Sequence, residues 1–103
     1  MSQPSTFRHP LEGVWRNESF EYTVRQTGLV ISVHAIDTDD GEVFLISNVE
    51  IAAASLRFHL FIPSSGYRME HVFRSTPSGV RDEWTTIDTD GARSEHAESL
   101  ERD

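Results

Sequence analysis

The sequence predicts an all-β protein, a small antiparallel up-and-down (meander) barrel of seven to eight strands, and three observations carry that expectation. Apolar residues recur with period two along most of the chain, the mark of strands with one buried face. Turn-forming groups, "QTGL", "DTDDGE", "PSSG", "TPSG" and "DTDG", arrive about every ten residues, the spacing of an all-β sandwich or barrel. No stretch repeats its apolar residues with the 3.6-residue period of a helix.

Each element follows in order. Residues 1–10 read as a flexible polar arm, 11–91 as the barrel domain, and 92–103 as a polar edge strand, a terminal helix turn or a tail. Gly13 to Arg16 reads as a short first strand and "NES" as a turn or bulge. The extra residue is needed because Trp15 is odd while Phe20, Tyr22 and Val24 are even, and a bulge lets both sets face the same side. Taking Thr27-Gly28 as the loop of "QTGL" pairs Val24 with Ile31, Tyr22 with Val33 and Phe20 with Ala35, all on one face. "VFLIS" returns with Phe44 and Ile46 on that face. A second change of parity near Ser47-Asn48 then brings in Val49 and Ile51.

The next two hairpins are the clearest. With "PSSG" as the loop, Ile62 faces Tyr67, Leu60 faces Met69, Phe58 faces His71 and Leu56 faces Phe73. With "TPSG" as the loop, Phe73 faces Asp82, His71 faces Trp84 and Met69 faces Thr86. One register thus gathers Tyr67, Met69, His71, Phe73 and Trp84 inside and points Arg68, Glu70, Arg74, Arg81 and Glu83 outward. Closing such a meander into a barrel removes its exposed edges.

Composition narrows the function. A chain of 103 residues is one domain, which buries about 65% of the surface of its unfolded form. Net charge is −8, from 17 acidic and 9 basic residues, with no Lys or Arg cluster, so nucleic acid and anionic membrane are not expected partners. The first ten residues lack an apolar signal region and no apolar run approaches the roughly 20 residues of a membrane span, which makes a cytoplasmic protein the expectation. With no Cys, there is neither a disulfide nor thiolate chemistry. "DTDDGE" fails the EF-hand pattern, because loop positions six and twelve counted from Asp37 are Glu42 and Asn48; a hairpin turn is the better reading. The histidines show no metal spacing, and alternation sets His59 and His71 on opposite faces, so no metal and no cofactor is expected.

Gly13-x-Trp15 at the first strand of a small meander barrel resembles the calycin superfamily, comprising lipocalins, fatty-acid-binding proteins and avidins, and more closely the small bacterial lipocalin-like proteins of uncharacterised function. The stretches that carry the resemblance are "GVWRNE", "IDTDDGEVFLISNV", "LRFHLFIPSSGYRMEHVF" and "DEWT". It implies that Gly13 and Trp15 close the barrel floor, with a cation from the last strand lying across the indole, for which Arg93 is the candidate. The chain departs from typical lipocalins in being shorter and in lacking their disulfide and terminal helix, so a narrow or filled barrel stands beside a ligand-holding cup.

Three functions remain open. The first is non-catalytic binding of a small, largely apolar molecule in the barrel interior by Tyr22, Phe58, Tyr67, Met69, His71 and Trp84, the rings and Met69 giving apolar surface and His71 with the tyrosines giving orientation. The second is a filled barrel that dimerises or assembles through outer-face Phe61 and Val72 with Ile36, Leu45 or Ile87. The third is a small-barrel enzyme using His71 as acid/base with Asp82 or Asp88, a reading to which no catalytic residue is assigned.

Overall fold

The computed structural model of the chain describes residues 9–102. Eight antiparallel strands follow one another: β1 (Gly13–Arg16), β2 (Phe20–Thr27), β3 (Val30–Asp37), β4 (Leu45–Ala52), β5 (Ser55–Ile62), β6 (Tyr67–Thr76), β7 (Gly79–Ile87) and β8 (Arg93–Arg102). Their order in the sheet is β3-β2-β1-β8-β7-β6-β5-β4. The first and last strands are therefore neighbours, and β3 and β4 complete the ring through one bridge, Ile36↔Val43, with Phe44 N–H donating to the Ala35 carbonyl at 3.0 Å. The result is a nearly closed all-β barrel. Among the described residues no helix is long and apolar enough to cross a membrane.

The β1–β2 turn and the bulge in β4 lie where the parity of the apolar residues demands a change. Trp15 pairs with Tyr22 across the β1–β2 turn, and the side chain of Asn17 holds that turn by accepting from the backbone N–H groups of Ser19 (2.8 Å) and Phe20 (2.7 Å). In β4 the register shifts between Ser47 and Glu50, where Asn48 takes a left-handed φ of 53°. Val49 thereby packs on the core, whereas Ile51, expected inside, is 47% exposed because β4 has no strand on its other side there. The β5–β6 and β6–β7 registers run as the alternation implies, from Ile62↔Tyr67 to Leu56↔Phe73 and from Met69↔Thr86 to Phe73↔Asp82.

One expectation is corrected, and of the three readings of the C-terminal segment the edge strand is the one observed. The β2–β3 loop is Gly28-Leu29, not Thr27-Gly28, so Val24 pairs with Val33 and Tyr22 with Ala35. Gly28, at φ 62°, occupies the first of the two loop positions, and the slip of two residues leaves every side chain on its expected face. Residues 93–102 form a full strand that pairs with β7 from Val80↔Leu100 to Ile87↔Arg93 and with β1 at Trp15↔Arg102 and Arg16↔Glu101. Its polarity is explained by the short β1: residues 93–99 have a strand on one side alone, and solvent reaches both of their faces.

The floor gathers around Trp15, which is 2% exposed. Its indole N–H donates to the Leu11 carbonyl at 2.8 Å, and the Arg102 guanidinium lies 4.2 Å from the ring centroid. Arg102 also donates to the carbonyls of Glu12 (3.0 Å) and Pro10 (3.4 Å), tying the entering chain to the last strand. Arg93 does not take this part. It sits at the opposite end of β8, on the outward-facing parity, 3.7 Å from Glu70. Of the arm expected over 1–10, residues 1–8 lie outside the described residues. His9 is buried, bonded through its N–H to Gln26 (2.7 Å) and through Nε2 to the Ala52 carbonyl (2.7 Å).

Gly13 is what the floor requires: its φ of 143° is a conformation side chains avoid, and a Cβ there would stand 2.4 Å from Arg102 Nη1. Gly13→Ala should cost about 1–3 kcal/mol. Urea titration checks this, and an unchanged midpoint would show that Arg102 moves aside freely.

Candidate functional site

Above the floor the interior is a box of rings. Cross-strand register places Phe58, His71, Trp84 and His96 in one row over β5, β6, β7 and β8. They stack along it: Phe58 on His71 at 5.0 Å and 13°, His71 on Trp84 at 5.8 Å and 23°, and Trp84 on His96 at 5.2 Å and 24°. Tyr22 closes the box edge-on, 5.0 Å from Phe73 and 5.5 Å from His71. The row passes from fully buried Phe58 to exposed His96, so Trp84 is its half-buried link to solvent.

Polar groups are set into this apolar box. His71 Nδ1 lies 2.8 Å from Asp82 Oδ1, and both side chains are fully buried. An Nδ1–H that donates to the carboxylate leaves Nε2 as the ring's open position. His71 Nε2, Asp82 Oδ2 and Tyr22 Oη are all buried and have no hydrogen-bond partner. Burial is the main cause that raises the Asp82 carboxyl above its ordinary value, while the hydrogen bond to His71 and that ring's charge oppose it. Burial also raises the Tyr22 hydroxyl, followed by the charges of Asp82 and Glu98.

The sign of the Asp82 shift yields an expected result. Folded Asp82 keeps its proton to higher pH than unfolded Asp82, so the folded state loses ground as pH rises from the ordinary carboxyl value of 3.8 through the raised one. Asp82→Asn, which has no charge to desolvate, should gain thermal stability relative to the wild type as pH rises above the ordinary carboxyl value. Parallel melts would test it; a difference that stays constant with pH would contradict the assignment.

A cleft of about 720 Å³ opens beside the box, between the β1–β2 turn and the β7–β8 pair. Phe20 and Trp84 form its apolar walls and Asn17, Glu18, Glu98 and Glu101 its polar rim. The Asn17 amide donates to Glu98 Oε1, bridging the rim where β8 has no β1 partner. A second hollow crosses the outer face and is lined by charged side chains, among them Arg57, Glu70, Glu83 and Glu95. There Arg74 and Arg81 bond to Glu83 and hold its carboxyl below the usual range.

The six residues expected to bind ligand are not brought to one surface. Tyr22, Phe58 and His71 are fully buried against one another, Met69 is 9% exposed, Trp84 reaches the cleft, and Tyr67, at the start of β6, is 41% exposed. Asp82, which alternation left between a partner for His71 and a solvated rim position, is the partner; Asp88 instead holds the β7–β8 turn by accepting from the N–H groups of Asp90 and Ala92, each at 2.9 Å. "DTDDGE" is likewise spent on its own backbone, Asp37 accepting from Asp39 N–H (2.7 Å) and Asp40 from Glu42 N–H (2.9 Å). Sequence reasoning missed Asn17, His96 and Glu98. The inward parity of His96, Glu98 and Leu100 was the available signal, but it needs the strand to be placed first.

This geometry defines a class, the nearly closed eight-stranded meander barrel with a tryptophan floor and a polar pair in its core. Compared with protein-family models, curated proteins and solved structures, the chain matches none.

Proposed function

We propose that the protein is a calycin-like binding barrel of the cytoplasm that holds a small, largely apolar molecule at the Phe20–Trp84 cleft and does not transform it. One observation carries this: the unpartnered polar trio of His71 Nε2, Asp82 Oδ2 and Tyr22 Oη inside an aromatic box beside the cleft. Leaving a buried polar group unpaired costs about 1–3 kcal/mol, and such groups in a folded protein call for a reason. Apolar walls with a few oriented polar groups are the composition of small-molecule sites, and the cleft volume lies in their range. The glycine and tryptophan of the floor, with Arg102 across the indole, agree with the calycin resemblance.

Native mass spectrometry of the purified protein, compared with a denatured sample, should reveal extra mass that is lost on unfolding. Trp84→Ala, which removes an apolar wall of the cleft, should weaken that ligand about tenfold. Retention of full affinity by Phe20→Ala and Trp84→Ala together would reject the site.

A second reading, a filled barrel that assembles with a second copy, is favoured by Val43 and Leu45, 52% and 58% exposed at the β3–β4 seam, with Leu45 paired to Phe61. Ile87 is not available to this stripe, being 4% exposed, and Val72 lies on a different cross-strand row, with Arg57 and Glu83. Sedimentation of Leu45→Glu would reveal a monomer if this surface assembles the protein, and no change in mass if it does not.

A further inference from the structure

Resting on the reading of the cleft as a binding site, we infer that its ligand is an organic cation, an aromatic or alkyl ammonium whose charge sits by Glu98 while its apolar body lies against Phe20 and Trp84. The rim supplies three carboxylates, Glu18, Glu98 and Glu101, and one guanidinium, Arg16, which is bonded to Glu21. Carboxylates at a rim are commonly mere solvated surface. Two further features set these apart.

First, Asp82 is the direct cross-strand partner of Glu98, so a second carboxylate stands beside the first on the inner face, with Oδ2 buried and unpartnered. Tyr22 Oη, also buried and unpartnered, feels the charges of both. An anionic ligand at Glu98 would approach like charges in a poorly solvated place, whereas an ammonium there is attracted by Glu98 and by the carboxylate beside it. Second, Glu98 is itself half-buried and held in place by Asn17, whose own carbonyl oxygen is fixed by the backbone of the β1–β2 turn. A carboxylate held this way is pre-positioned, which lowers the cost of ordering it around a ligand. The ring edges and faces of Phe20 and Trp84 complete the kind of wall that receives organic cations.

Calorimetric titration with three probes that share one ring tests this: phenethylammonium, phenethyl alcohol and 3-phenylpropanoate, with the Trp84 indole N–H followed by NMR. The ammonium should bind at least about tenfold tighter than the alcohol, and the propanoate most weakly. Glu98→Gln should erase the preference for the ammonium while leaving the alcohol's affinity unchanged; Glu50→Gln, which removes a carboxylate from the outer face, should alter neither. Equal binding of ammonium and alcohol, or an unchanged preference in Glu98→Gln, overturns the cationic ligand and leaves the binding site standing. Failure of all three probes to bind or to shift the Trp84 signal overturns both. The wild-type comparison of the three probes decides the matter even if Glu98→Gln fails to fold.

Discussion

Trp15→Ala is expected to destabilise the protein by about 3–5 kcal/mol, the range for removing a large buried aromatic side chain. Domains of this size are stable by about 5–15 kcal/mol in total, so this one change should consume much of the margin. Trp15 is 2% exposed and does three things at once: it fills the floor, donates to the Leu11 carbonyl and supports Arg102, which in turn holds the carbonyls of Pro10 and Glu12. Trp15→Phe separates them, since it keeps most of the packing and loses the indole N–H bond; a loss of about 1 kcal/mol is expected for that bond. Guanidinium titrations of both variants give the comparison. A cost under about 1 kcal/mol for Trp15→Ala would mean that the floor is not a structural closure.

The second large effect concerns the core pair. Asp82→Ala leaves the His71 imidazole buried between Phe58 and Trp84 with its partner gone, and leaving a buried polar group unpaired costs about 1–3 kcal/mol. Replacing both residues removes the orphan as well. The double variant His71→Leu with Asp82→Leu should therefore be less destabilised than the sum of its single changes, with a coupling of about 0.5–3 kcal/mol. Additivity of the two single changes would show that the 2.8 Å contact contributes nothing specific. An apolar replacement that is no less stable than the wild type would also indicate that the pair is kept for something other than stability.

Legibility in the sequence varied with burial. From β5 to β7 each strand has a buried face and a solvated face and is joined to the next by a short turn, so alternation and loop length fix the register together. The same alternation locates the turn at residues 17–19 and the bulge at Asn48. Between β2 and β3 it fixes only the faces, because a slip of two residues preserves them, and the turn geometry of Gly28 decides the rest. In β8 the signal is absent: Arg93 to Ala97 are all exposed, on both parities, so nothing in the pattern marks a strand. Every site residue that sequence reasoning missed follows from that strand or from the turn facing it. Asp82 illustrates the opposite difficulty, since a charged residue on an inner position reads equally as a rim residue until its partner is seen.

The barrel is joined by covalent chain where its hydrogen bonding is thinnest, between β3 and β4, and by hydrogen bonds alone where the two ends of the chain meet, between β1 and β8. A ribosome releases such a chain in the least convenient order. Trp15 emerges early and waits for Arg102 in the eighth strand, while β7 stands as a raw edge until β8 arrives. The nascent meander thus has no closed form to adopt until β8 has been made, and closure is set by the longest loop the chain must form.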